Sequence, residues 1–245
     1  MQIRLTIEYD GTAYQGWQVQ PDAPTVQAAV ERALATALRE RVRVRGAGRT
    51  DAGVHACGQV AAVRVTRVPS DLPRLQKSLN ALTPDDIAIR EIALVDDGFD
   101  PRRDARSRVY EYRILNAPAP SPFWWRYAWH VPDALDAPAM HDAAKRLEGE
   151  HDFEAFRGAD PVPVRSTVRR VLESAVHGDA AFVVFRIEAT AFLKHMVRNL
   201  VGTLVEVGRG ARPVDALAEL LAARDRTRAG ATAPAHGLVL VRVRY

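Results

Sequence analysis

Gly48-Arg49-Thr50-Asp51-Ala52-Gly53-Val54-His55-Ala56 is a polar, glycine-bounded loop between two apolar runs. Before it, Val42 to Arg45 reads as a short strand, and after it Val60, Ala61, Val63 and Val65 give another. One step outward on each side lies a helix. Thr25 is placed to cap a helix with an apolar stripe of Val26, Ala29, Val30, Ala33, Leu34, Ala37 and Leu38, and Asp71 to Leu82 reads as the second. Outward again are strands. Ile3, Leu5, Ile7 and Tyr9 alternate with polar residues, and Ile87 to Val95 is apolar and β-branched. The order around the loop is therefore strand, helix, strand, strand, helix, strand, the ferredoxin-like arrangement of an α+β fold.

The second half repeats that order with one extra helix. Strands are expected at Val109 to Leu115, Val168 to Val176, Phe182 to Ala189 and Leu238 to Val243, with helices at Ala137 to Leu147, Phe192 to Val207 and Pro213 to Ala223. Arg224 to Ala235 lacks apolar periodicity and reads as a mobile loop. The seam falls near Asp97 to Asp104, dividing the chain into residues 1–100, which carry the Asp51 loop, and 101–245, which carry Tyr110 and Arg198. Two such subdomains can join edge strands into a central antiparallel sheet with a cleft.

A length of 245 residues and a hydrophobic fraction of 47% allow a substantial core. Cys57 is the only cysteine, which excludes an intrachain disulfide framework and fits a reduced, cytoplasmic setting. The opening residues do not resemble a signal peptide, and no apolar run approaches the ~20 residues of a membrane helix. The net charge of +4 is mildly basic. Of the 34 basic residues only Lys77, Lys145 and Lys194 are lysine. Arginine suits bidentate phosphate contacts and base stacking, although a GC-rich coding sequence also favours it. Arg102, Arg103, Arg106 and Arg108 form one cluster, and Arg165, Arg169 and Arg170 another, as a polyanion track would.

Asp51 stands between glycines with Arg49 two positions away. A lone aspartate in that setting reads most simply as a helix cap or an Asx turn. A positioned, ionised carboxylate is also a nucleophile or general base. Tyr110 and Tyr112 alternate along one strand and share a face, as core aromatics do. Arg198 sits beside the apolar positions Leu193, Met196, Val197, Leu200 and Val201, where a cation needs a partner. His55 reads as a packing or capping residue, and His195 as one that packs or faces a polyanion near Arg198. Phe123, Trp124, Trp125, Tyr127 and Trp129 form a dense aromatic stretch suited to a core, a subunit interface or base stacking. Gly46-Ala47-Gly48 lacks the third glycine of a dinucleotide fingerprint, no phosphate-binding lysine loop is present, and the seven histidines show no zinc spacing.

The Asp51 nonapeptide closely resembles the signature of the tRNA pseudouridine synthase A family, and four further segments resemble that family in order. They are Tyr9 to Gln18, Arg106 to Tyr112, Phe192 to Gly202 and His236 to Leu240, with Val239 where many members carry Tyr. The resemblance implies an isomerase that moves uracil from an N1 to a C5 linkage in the anticodon stem–loop of tRNA, at positions 38, 39 and 40. It implies Asp51 as nucleophile, Tyr110 stacking on the flipped base, and Arg198 as a second cation beside Asp51. Arg49, His195 and Leu240 join Tyr110 in substrate binding. It further implies a homodimer that needs no metal or cofactor. Two other classes stay open on the residues alone: a non-catalytic RNA-binding module and a small-molecule phosphate enzyme on the same fold.

Overall fold

The computed structural model describes residues 1–67, 69–160, 164–179 and 181–245. The first elements are β1 (Gln2–Tyr9), α1 (Val26–Leu38), β2 (Val44–Gly46), β3 (His55–Arg64), α2 (Leu72–Leu82) and β4 (Ile87–Val95). Next come β5 (Ser107–Leu115), β6 (Trp129–His130), α3 (Ala137–Lys145), β7 (Gly149–Asp152), β8 (Val168–Asp179) and β9 (Phe182–Ala189). Then follow α4 (Met196–Gly208), α5 (Ala216–Ala223) and β10 (Leu238–Arg244). The fold is α+β with mostly antiparallel strands, and it divides into two units, Met1–Arg106 with Val239–Tyr245, and Ser107–Leu238.

In the first unit β1 lies between β4 and β3, antiparallel to both. Ile3, Leu5 and Ile7 of β1 are fully buried; each such side chain contributes about 1.5–3 kcal/mol on leaving water. The other edge of β3 takes β2 antiparallel along its C-terminal half (Val44 opposite Val63). Near its start, the same edge takes β10 in parallel, with Val239 opposite His55 and Leu240 opposite Ala56. Thr25 caps α1 by accepting from the Ala28 N–H at 3.4 Å, and Asp71 caps α2 through Arg74 N–H at 2.8 Å. Helix α1 buries Val26, Ala29, Val30, Ala33 and Leu34 from the expected stripe.

The second unit runs β5–β9–β8–β7, antiparallel throughout, with β6 parallel to β5. Tyr112, Ile114, Phe185 and Ile187 are fully buried in it. Helix α3 packs on β8, and α4 on α3 and β5.

Three sequence expectations differ from what is observed. The closing strand groups with the first unit, because its parallel pairing to β3 is a contact between residues far apart in sequence. Helix α4 begins at Met196, not Phe192, because His195 adopts a left-handed backbone (φ 58°) that a helix cannot continue through. The stretch 224–235, expected to be mobile, is tied to α4 by hydrogen bonds from Arg226, Gly230 and Ala233. Strands β6 and β7 are too short to show a period in the sequence. Among the described residues no helix is long and apolar enough to cross a membrane.

Candidate active site

In the first unit, the loop from β2 to β3 is held by main-chain hydrogen bonds and by the side chains of Gln59 and Tyr9. Ala47 N–H donates to Val60 C=O at 2.8 Å, and the Gln59 amide donates to Gly48 C=O at 2.9 Å. Thr50 is buried; its hydroxyl pairs with Tyr9 Oη at 2.7 Å and its carbonyl accepts from Trp17 N–H at 3.1 Å. A turn closes beyond it, with Val54 N–H on Asp51 C=O at 3.1 Å, and Gly53 N–H reaches Tyr14 C=O at 3.2 Å. The segment Tyr14–Trp17 thus lies directly along the Asp51 turn. Only glycine fits at its middle, because Gly16 has φ +88° and a Cβ there would stand 2.5 Å from the Thr50 carbonyl oxygen.

Behind the turn, His55 is buried with Nδ1 3.0 Å from Gly11 N and 3.1 Å from Asp10 Oδ1. Asp10 Oδ1 also accepts from Thr12 N–H at 2.9 Å. Tyr14 Oη donates to Asp86 Oδ1 at 2.5 Å, and burial together with that carboxylate pushes its phenol above the ordinary range. The Tyr9–Gln18 segment therefore serves as a frame for the Asp51 turn. Sequence reading paired the two as motifs but not as partners in space.

This frame leaves Asp51 half-exposed. Arg49, two positions before it, is exposed. Leu240 is fully buried opposite Ala56. It lies in the stretch where β10 pairs with β3.

The second unit holds Tyr110, His195 and Arg198. Tyr110, on β5, is 8% exposed and meets Phe192 edge-on at 5.0 Å between ring centroids. Tyr112 is fully buried and donates to Pro234 C=O at 2.7 Å; burial raises its phenol well above the usual range while the Arg198 charge opposes that rise. His195 packs its ring over Gly158, where an added Cβ would stand 2.7 Å from Nδ1. Arg198, on the first turn of α4, donates from Nε to Ala233 C=O at 2.7 Å, and Ala233 N–H returns to Arg198 C=O at 3.1 Å.

The arginine clusters divide. Arg102, Arg103, Arg106, Arg165 and Arg170 are exposed. Arg108 is buried and donates to Thr190 C=O at 2.8 Å, while Arg169 turns back onto Ser166 and Val168 carbonyls, and burial pulls its guanidinium below its ordinary value. Phe123 and Trp125 are exposed at 85% and 59%, and Arg126 stacks 5.0 Å over the Trp125 ring. Among the described residues no group of three or more acidic, histidine or cysteine side chains is arranged to hold a metal ion. Asn199, Arg226 and Thr232, which link α4 to the loop before β10, escaped sequence reading. The one available signal was a polar Asn199 among the apolar positions of α4.

A family described as tRNA pseudouridine synthase matches residues 5–102 and 143–245. A tRNA pseudouridine synthase A of Myxococcus xanthus is 49% identical over 244 residues, covering 99% of this chain and 91% of that protein. The namesake of Geotalea uraniireducens (strain Rf4) is 47% identical, covering 100% and 99%. That of Moorella thermoacetica is 45% identical over 245 residues, with 99% of each covered. Among solved structures, a chain of a Cbf5-Nop10-Gar1 complex superposes with a TM-score of 0.36 at 12% identity, over 82% of this chain and 54% of that one, too loose a likeness to build on.

Proposed function

The chain belongs to the tRNA pseudouridine synthase A family, isomerases that convert uridine to pseudouridine in tRNA, and we propose that its substrates are the uridines on the 3′ side of the anticodon stem–loop. The observation that carries this reading is the Asp51 turn, a half-exposed carboxylate on a backbone held by the Tyr9–Gln18 segment.

The reaction breaks the bond from N1 to C1′, turns the uracil, and forms a bond from C5 to C1′. N1 gains a proton and C5 loses one, so no atom or electron is gained overall. Asp51 supplies the nucleophile, acting on C1′, acting on C6, or assisting a glycal; an ionised carboxylate serves all three. The base must leave its stack, and RNA binding energy offsets the few kcal/mol of that step. Tyr110 stacks on the flipped uracil and passes the C5 proton. Arg198 brings a cation to the reacting uridine. Arg49 and His195 contact RNA, Arg49 through phosphate. The protein works as a cytoplasmic homodimer, and each unit is of the ferredoxin-like type, which the strand order β4–β1–β3–β2 of the first unit supports.

The test is tritium release from C5-labelled uridine in unmodified tRNA, comparing the wild type with Asp51→Asn. Release by the wild type alone is expected. Release by both proteins removes Asp51 as nucleophile, and release by neither with tRNA binding intact favours a binding module. Uridines mapped outside the anticodon arm would overturn the substrate assignment.

A further inference from the structure

Arg198 is held on two sides by the chain between α5 and β10, and that chain is itself held by one side chain. Arg226 Nη1 donates to the carbonyls of Ala229 and Gly230 at 3.4 and 3.1 Å. Its Nη2 donates to Asn199 Oδ1 at 3.0 Å and Thr232 Oγ1 at 3.1 Å. Thr232 Oγ1 donates in turn to Asn199 Oδ1 at 2.6 Å. Asn199, with no exposed surface, completes its amide by donating to Phe156 C=O at 2.8 Å. Gly230 N–H reaches Thr203 Oγ1 at 3.0 Å, and that hydroxyl donates to Asn199 C=O at 3.0 Å. At Gly202 a Cβ would lie 1.7 Å from the Ala231 carbonyl oxygen, so the loop lies directly on the helix backbone.

The residue after Thr232 is Ala233, whose carbonyl takes Arg198 Nε. Nε lies in the guanidinium plane, so its bond to a fixed carbonyl sets the orientation of the whole fork. The fixity of that carbonyl traces back through Thr232 to Arg226. We infer that Arg226 is a positioning residue for Arg198: through Thr232 and Asn199 it fixes the Ala233 carbonyl that orients the Arg198 guanidinium. This rests on the proposed role of Arg198 at the uridine. An arginine is required because its planar fork bonds the loop carbonyls with one nitrogen and two side-chain oxygens with the other. A lysine ammonium cannot span that set.

The test is a double-mutant cycle on tritium release under saturating and limiting tRNA, with Arg198→Lys and Arg226→Ala singly and together. Arg226→Ala is expected to lower kcat some 10–100-fold, with KM for tRNA within about threefold, a misplaced group costing on that scale. In the Arg198→Lys background the same change is expected to cost less than about threefold. Arg226→Lys should recover only part of the lost kcat. A penalty equal in both backgrounds, or no penalty at all, would overturn the inference and leave the role of Arg198 standing. Full activity of Arg198→Lys would instead remove Arg198 from the chemistry, and the inference with it. Should Arg226→Ala fail to fold, Thr232→Val removes the hydroxyl link at constant shape and is expected to show the same coupling to Arg198 at a smaller size; additivity there would equally overturn the inference.

Discussion

The Asp51 turn and the Arg198 helix start present two ways of holding a side chain for which a role in the reaction is proposed. Around Asp51 backbone hydrogen bonds join Trp17 to Thr50 and Gly53 to Tyr14, and a Cβ would stand 2.1 Å from the Val54 carbonyl oxygen at Gly11 and 2.5 Å from that of Thr50 at Gly16. The loop that bonds Arg198 is tied down through side chains, Arg226, Asn199, Thr232 and Thr203. A main-chain frame tolerates most side-chain changes but not a change of backbone conformation. A side-chain frame depends on the identity of each member, and truncating one leaves its buried partners unsatisfied.

This contrast sets an order of expected effects. Asp51→Asn, which removes the proposed nucleophile and leaves its frame, should lower kcat on the order of 10⁴-fold or more, as losses of a nucleophile do. Retention of even a tenth of wild-type turnover in the tritium assay would contradict the role. Gly16→Ala comes next. A forced positive φ costs on the order of 1–3 kcal/mol, and the added methyl meets the Thr50 carbonyl. Turnover should fall about 10–100-fold while the overall circular dichroism spectrum stays native; wild-type kinetics would show that the frame is not tight.

Thr50→Val sharpens the comparison from the other side. It removes the hydroxyl pair with Tyr9 but leaves the Trp17 N–H bond to the Thr50 carbonyl. A net hydrogen bond is worth about 0.5–1.5 kcal/mol, so kcat should change by less than about tenfold. A loss as large as that of Gly16→Ala would mean that side chains hold this turn after all.

The smallest effect is in acid stability. For Asp100, burial raises the carboxyl, yet the N–H groups of Arg103 and Arg102 and the nearby guanidinium groups bring it below its ordinary value. A depressed carboxyl contributes stability fully above the usual pKa of ~3.9, and loses it as pH falls through the lower folded value. Asp100→Asn should therefore flatten the fall in melting temperature between about pH 5 and pH 3. For Glu148 the first cause of depression is the Lys145 side chain, so Lys145→Met should give a similar flattening there. Unchanged acid profiles in both variants would take these carboxylates out of the account.

Much of this was legible in the sequence, for stated reasons. The period of two in Ile3, Leu5 and Ile7 and the period near 3.6 in α1 report burial directly, and both elements form where expected. The Asp51 loop stood out because glycines and a carboxylate gather where no core demands them. Three features were not legible. A parallel pairing such as Val239 with His55 leaves no local trace. The loop 224–235 looked mobile because its anchors are single polar contacts, not a periodic apolar face. The start of α4 at Met196 was not legible either, since the left-handed backbone at His195 leaves no mark on the apolar pattern of Leu193, Met196 and Val197.

The place of β10 also bears on how the protein is made. Strand β3, its partners β1 and β2, and β4 beyond β1 are all translated early, but the edge of β3 at His55 and Ala56 is covered only when Val239 and Leu240 arrive. Until then the strand that follows Asp51 carries an open stretch of unpaired backbone groups, the kind of edge that recruits other chains. The first unit is thus completed last, and a ribosome stalled anywhere within the second unit would carry a nascent chain with that edge exposed.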